Sequence, residues 1–451
     1  MHFSIPDTAE VNDEKGTSFT VYKIHINGVH HCTLRYKQLR HLHDQLVKLY
    51  NSDSLPCFPG KRFFSLSSSQ AEERRLLLER YVQLVAQDVR ISNSAVLTTF
   101  LRQAQQETHL NCTSNEVMLC IILPSSDTTV VEVGPTEQTE SVMKKLCFKL
   151  GVGEDHTGYF GLYIEKLTER GWMLIRKLQS YESPYVSQLA TNCCRITLRK
   201  SYWDPSYDNE LMKNCVSLDL IYQQFVCEME NFNLNAQMKS DVNRLIKMEK
   251  KEELLKYARK IKFFGGICFS NCISNYPKPE TDVTIHAVNK ELIFVFEDKE
   301  MTFKVTRIRS WRITSVSSEN WKEARLELSF EYLLSKDKMQ WITIMSDQAV
   351  MISLSLQGIV DELMRKQSGS SGSSCSGGDR VTDDIGITAT YMTQDGSIIP
   401  LISPSSKCRS ISKKSIASKE NLAVRFRISA LGNSQAFVEN HAFNEIQDDD
   451  L

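Results

Sequence analysis

Residues 32–46 read CTLRYKQLRHLHDQL, and the joint inside them decides how the first hundred residues fold. Upstream, FTVYKIHINGVHHCTL (19–34) alternates apolar and polar side chains around Asn27-Gly28, a dipeptide suited to the positive φ angles of a two-residue hairpin turn. Downstream, Leu39, Leu42, Leu46 and Leu49 recur at helical spacing. A strand therefore hands over to a helix at Arg35-Tyr36, which stands a guanidinium and an aromatic ring side by side at the helix mouth.

Two further stretches carry cations that belong with that joint. LPCFPGK (55–61) holds a Pro-x-x-Pro-x-Lys pattern, an extended loop that delivers Lys61 at its end. RRLLLERY (74–81) spaces Leu78 and Tyr81 on one helical face, with Arg74 two turns before Tyr81 and nearly on the same side. Three cations converging on a cleft beside one ring make a site for a small polyanion with a flat face. In KRFFSL (61–66), Phe63, Phe64 and Leu66 flank the cations, where at least one is placed to dip into lipid and one of the Phe pair is expected in the core. Burying one such side chain is worth roughly 1.5–3 kcal/mol.

The bulk numbers set the frame. At 451 residues the chain is too long for one core, and 41% apolar with 24% charged residues is the composition of folded domains. A net charge of −1 gives no basis for nucleic-acid binding, so any anion site is local. The thirteen Cys form no Cys-x-x-Cys, and MHFSIPDTAE lacks a basic and apolar leader, which together predict a reduced cytoplasmic protein. Apolar runs are as short as LIFVF (292–296), so a membrane is met from its cytosolic face.

The predicted architecture is α+β and multidomain. Residues 1–108 hold the hairpin, the Arg-Tyr helix, the proline loop and a long amphipathic helix beginning near Gln70. Residues 112–203 run strand, strand, helix, strands, the order of a β-grasp unit. Residues 204–264 show helical periodicity with few turn signals. Residues 265–366 give seven strand candidates closed by a helix carrying Ile352, Leu356, Ile359, Val360 and Leu363 on one face, a sandwich of the pleckstrin or phosphotyrosine-binding kind. From 367 to 451 the composition turns to QSGSSGSSCSGG and SSKCRSISKKSIASKE, a tail expected to be disordered for want of apolar surface.

Arg35, the Pro-x-x-Pro-x-Lys61 loop and Arg74, in this order, resemble the phox-homology (PX) lipid-binding domain across most of 1–108. The resemblance implies recognition of phosphatidylinositol 3-phosphate: Arg35 forks onto the 3-phosphate, Tyr36 packs on the inositol ring, Lys61 meets the 1-phosphate and Arg74 the ring hydroxyls. A planar guanidinium offers two parallel N–H donors, which Lys cannot imitate. Members often carry a second Arg before the pair, where Leu34 stands here. A β-grasp unit, a helical unit and a pleckstrin-like sandwich resemble the three lobes of a FERM module. KSYWDPSYD (200–208), FEYLLSKDKMQWITI (330–344) and the ending FNEIQDDDL are similar to the PX-FERM sorting nexins.

That likeness implies an endosomal cargo adaptor on the cytosolic face of early endosomes. It would bind Asn-Pro-x-Tyr (NPxY) and Asn-x-x-Tyr (NxxY) signals in receptor tails of the integrin or LDL-receptor kind, promote their recycling and spare them lysosomal degradation. The peptide would add a strand to the third lobe beside Trp311, Val360 and Met364. From periodicity alone those three side chains read as core. In the family the C-terminal peptide, ending here in Leu451, recruits the Retriever recycling complex. Asn440 to Phe443, NHAF, has the Asn-x-x-aromatic shape of the cargo signal itself, so the tail either masks its own groove or serves only to bind Retriever. An alternative reading makes the β-grasp lobe an effector surface for a Ras-type GTPase, within a signalling scaffold. The sequence has no Walker loop, His-Glu-x-x-His or Gly-x-Ser-x-Gly, and the two His of HLH (41–43) point to different sides of a helix, so no catalytic residue, cofactor or metal is expected.

Overall fold

The computed structural model describes residues 2–12, 16–27, 29–61, 67–92, 94–109, 116–169, 171–232, 234–297, 299–316, 325–335, 338–367, 390–400, 438–440 and 442–443. Strands β1 (Phe3–Asn12), β2 (Ser18–Ile26) and β3 (Val29–Arg35) form an antiparallel sheet in that order. Asn27 turns the β2–β3 hairpin at φ 52°. Strand β1 is hidden in the sequence pattern, because a register shift between Ser4 and Asp7, around Pro6, breaks its alternation.

Helix α1 (Tyr36–Tyr50) starts at the predicted joint and buries Leu39, Leu42 and Leu46. The single long helix expected from Gln70 is three: α2 (Ser68–Gln87), α3 (Val89–Ser92) and α4 (Ala95–His109). Asp88 takes extended angles (φ −71°, ψ 113°) that end α2. At the other end of α2, the Ser67 hydroxyl caps the Gln70 N–H.

Strands β4 (Val117–Ile122), β5 (Thr128–Val133), β6 (Phe160–Thr168), β7 (Gly171–Lys177) and β8 (Cys194–Lys200) pair in the order β5-β4-β8-β6-β7, with helices α5 (Thr139–Leu150) and α6 (Pro184–Leu189). β4 and β8 run parallel, the signature of the predicted β-grasp. Helices α7 (Asp208–Leu211), α8 (Cys215–Glu228), α9 (Ala236–Lys247) and α10 (Lys251–Ala258) share one apolar core with that lobe.

The third lobe is β9 (Ile267–Ser274), β10 (Thr281–Val288), β11 (Glu291–Phe296), β12 (Lys299–Lys304), β13 (Ile308–Val316), β14 (Arg325–Ser335) and β15 (Lys338–Met345), closed by α11 (Ala349–Gln367). The sheet order β12-β11-β10-β9-β15-β14-β13 leaves β13 at an edge. KSYWDPSYD is the junction of the lobes: the Glu362 carboxylate on α11 accepts from the Trp203 and Asp204 N–H groups at 2.8 and 3.0 Å. A Cβ on Gly358 would stand 2.8 Å from the Trp203 indole nitrogen, so α11 needs glycine there.

Two pieces of the tail lie against these lobes. Strands β16 (Thr390–Met392) and β17 (Ile398–Pro400) make a hairpin on the first domain, and β18 (Val438–Glu439) adds to the free edge of β13. Neither piece has a core of its own; each borrows one, Tyr391 from the first domain and Ala442 from the third lobe. Among the described residues no helix is long and apolar enough to cross a membrane, and no group of His, Cys, Asp and Glu could hold a metal ion.

Candidate functional site

Around the β3–α1 joint, two of the four predicted lipid-site residues, Tyr36 and Arg74, are in contact. The Tyr36 hydroxyl donates to the Pro59 carbonyl at 2.8 Å, which ties the helix mouth to the proline loop. Its ring faces the Arg74 guanidinium, 4.6 Å away, a cation–π contact that fixes both. Arg74 Nη2 is buried and has no hydrogen-bond partner among the described residues. Below them, burial pushes the Tyr22 hydroxyl above its ordinary pKa against the opposing pull of Arg74.

Arg35 lies over the Phe19 ring at 3.5 Å, and its Nη1 donates to the Gln394 carbonyl at 2.6 Å. Lys61 is exposed at the end of the loop, two residues past Pro59. Phe63, Phe64 and Leu66 fall outside the described residues.

At the edge of the third lobe, Trp311 is fully buried and its indole N–H donates to the Ser353 hydroxyl at 3.0 Å. The indole is thus a core ring, while the Trp311 backbone forms the strand edge, opposite Val438. Val360 is buried, and Met364 is partly buried in the same apolar cluster as Val438 and Ala442.

Asn440 follows β18 and faces the start of β13. Its side-chain amide donates to the carbonyls of Val305 and Ile308 at 2.8 and 2.7 Å, and its N–H donates to the Arg309 carbonyl at 3.0 Å. The chain then turns: the Ala442 N–H bonds the Asn440 side chain at 3.0 Å, and the Phe443 N–H bonds the Asn440 carbonyl at 3.1 Å. Every polar group of the asparagine is matched, which an Ala or Leu cannot achieve. The Val305 and Ile308 carbonyls were invisible to sequence reading, since backbone acceptors leave no residue signature. Leu451 lies outside the described residues.

Comparison with known proteins follows the same division. Residues 22–104 match the family model of the PX domain, 117–203 that of the FERM F1 lobe of sorting nexins 17, 27 and 31, and 265–364 that of the sorting nexin 17 FERM C-terminal domain. These domains in this order define a PX-FERM protein. Sorting nexin-17 of Homo sapiens is 41% identical over 392 residues, covering 82% of this chain and 83% of its own. Sorting nexin-17 of Danio rerio is 40% identical over the same shares, and sorting nexin-31 of Mus musculus is 30% identical over 81% and 87%. The chain belongs to the PX-FERM sorting nexins. Its class is that of endosomal sorting adaptors, peripheral to the membrane.

Proposed function

We propose that this adaptor joins phosphatidylinositol 3-phosphate in early endosomal membranes to NPxY or NxxY signals in receptor tails, and so directs receptors to recycling. Arg35, Tyr36, Lys61 and Arg74 bind the headgroup, with Phe63, Phe64 and Leu66 entering the bilayer. An incoming peptide pairs with β13 and sets its asparagine on the Val305 and Ile308 carbonyls.

The observation that carries the peptide half is the Asn440 side chain, held by two backbone acceptors at the start of an Asn-x-x-aromatic turn. It also supports self-masking: cargo must displace Val438–Phe443, and displacement frees the last residues, through Leu451, for the Retriever complex. Each contact alone is of micromolar strength, about 8 kcal/mol, and confinement to one bilayer makes the second contact intramolecular.

The test titrates a labelled Asn-Pro-x-Tyr peptide into the full chain and into Asn440→Ala. The variant should bind about tenfold more tightly, since tethering no longer competes effectively. Equal affinities would end the masking idea, and no binding to either would end the peptide reading. Vesicles spanning the phosphoinositides test the lipid half, with Arg35→Ala expected to abolish the preference for the 3-phosphate.

A further inference from the structure

The tail hairpin is built into the first domain more deeply than a loose tail requires. Tyr391 is 1% exposed, its ring 5.3 Å from Phe100, and its hydroxyl donates to the Glu107 carboxylate at 2.7 Å. The Gln394 N–H reaches the other Glu107 oxygen at 2.5 Å, and the Gln394 side chain donates to the Thr33 carbonyl at 2.9 Å.

Helix α1 answers with a polar stripe that its leucine pattern does not need. Gln45 is buried and exchanges two bonds with the Thr390 backbone, His41 meets the Thr390 hydroxyl at 2.9 Å, and the Gln38 amide faces the Met392 carbonyl at 3.0 Å. At roughly 100° per residue, positions 38, 41 and 45 lie opposite positions 36, 40 and 43. The latter three face the proline loop: Tyr36 on Pro59, and Arg40 and His43 on Phe58. The hairpin therefore backs α1 on the side away from Tyr36 and does not cover it.

Arg35 is held from that rear side. Gln38 accepts the Arg35 N–H at 2.8 Å while its amide engages the hairpin, and the Gln394 carbonyl takes Arg35 Nη1. With Phe19 against one guanidinium face, the rotation of the fork is fixed. Nε and Nη2 have no acceptor among the described residues, and together they form an edge that can meet a phosphate with two parallel bonds.

We infer that residues 390–400 are a positioning element of the phosphoinositide site, an outlying part of the PX domain that aims Arg35. This rests on the lipid reading above. A domain ending near residue 108 lacks it.

The test uses the full chain on vesicles with and without phosphatidylinositol 3-phosphate, with phosphatidylserine vesicles as the charge-only control. Tyr391→Ala should lower affinity for the 3-phosphate about tenfold while leaving phosphatidylserine binding unchanged, and Tyr391→Phe, which keeps the ring, should retain most of it. In an Arg35→Lys background, Tyr391→Ala should cost less than about twofold, because its effect runs through the guanidinium. An additive loss, no loss, or tighter binding would overturn the inference, the last by showing a gate instead. If Arg35→Lys itself changes nothing, the lipid reading fails rather than the hairpin's role. Should Tyr391→Ala unfold the domain, Gln394→Ala, which removes only the amide bond to Thr33, carries the same test with a loss of about threefold.

Discussion

Arg74 keeps a guanidinium nitrogen buried without an acceptor among the described residues, an arrangement that costs about 1–3 kcal/mol in the free protein. Ring hydroxyls of a headgroup would supply the missing acceptors. Arg74→Leu should therefore weaken binding to phosphatidylinositol 3-phosphate vesicles about 10–100-fold while leaving the melting temperature equal or higher. Co-sedimentation beside thermal melting checks both halves, and a fall in both would make Arg74 a structural residue. Trp311 behaves oppositely. Its ring is wholly interior, so Trp311→Ala should cost about 3–5 kcal/mol and lose peptide binding by loosening the lobe. Urea denaturation would show that loss, and Asn440→Ala separates recognition from stability where Trp311→Ala does not.

Among the elements, the turn between β7 and α6 joins the first domain to the β-grasp lobe. Arg176 and Glu182 form a buried pair at 2.8 Å there, and the Ser183 N–H donates to Gln105 of α4 at 3.1 Å. Burial alone would raise the Glu182 carboxyl, but the charge and hydrogen bonds of Arg176 outweigh it and hold it below its ordinary value. Nearby His31 is pushed down to about 4, chiefly by burial. Both shifts act in one direction: as pH falls, the unfolded chain takes up protons before the folded chain does. For His31 the loss of stability begins near its ordinary 6.5 and continues to about 4; for Glu182 it begins near 4.5 and runs lower. The melting temperature should decline across that window, and His31→Gln should flatten the upper part of the decline. Arg176→Ala, which strands the Glu182 charge, should cost about 3–5 kcal/mol in a denaturant titration.

Over the whole molecule, the described parts of the tail, 390–400 and 438–443 without 441, are anchored unequally. The hairpin inserts Tyr391 into a core, whereas β18 is a two-residue edge strand held mainly through Asn440. A saturating Asn-Pro-x-Tyr peptide should accelerate amide hydrogen exchange at 438–443 and leave 390–400 protected. Joint release of both would mean that one cooperative unit spans the tail. Only part of this was open to sequence reading. Leu39, Leu42 and Leu46, the Asn27 turn and the α11 stripe are local periodicities, and they were legible. The break at Asp88 and strand β1 were not, because a bulge and a cap erase the period over a few residues. Gln38 and Gln45 offered a faint signal, two amides seven residues apart on a leucine-rich helix, but nothing indicated that the partner was Thr390 and its neighbours.

The order of domains, the joint that places Arg35 and Tyr36 together, and an asparagine-led motif in the tail are all written in neighbouring residues and so can be read along the chain. What each of these touches is set by the folded molecule. Arg35 meets Gln394 across 359 residues, and Asn440 meets Val305 across 135. Contacts so distant depend on surfaces that exist only after each lobe has closed its core, and no local pattern encodes the complementarity of two such surfaces.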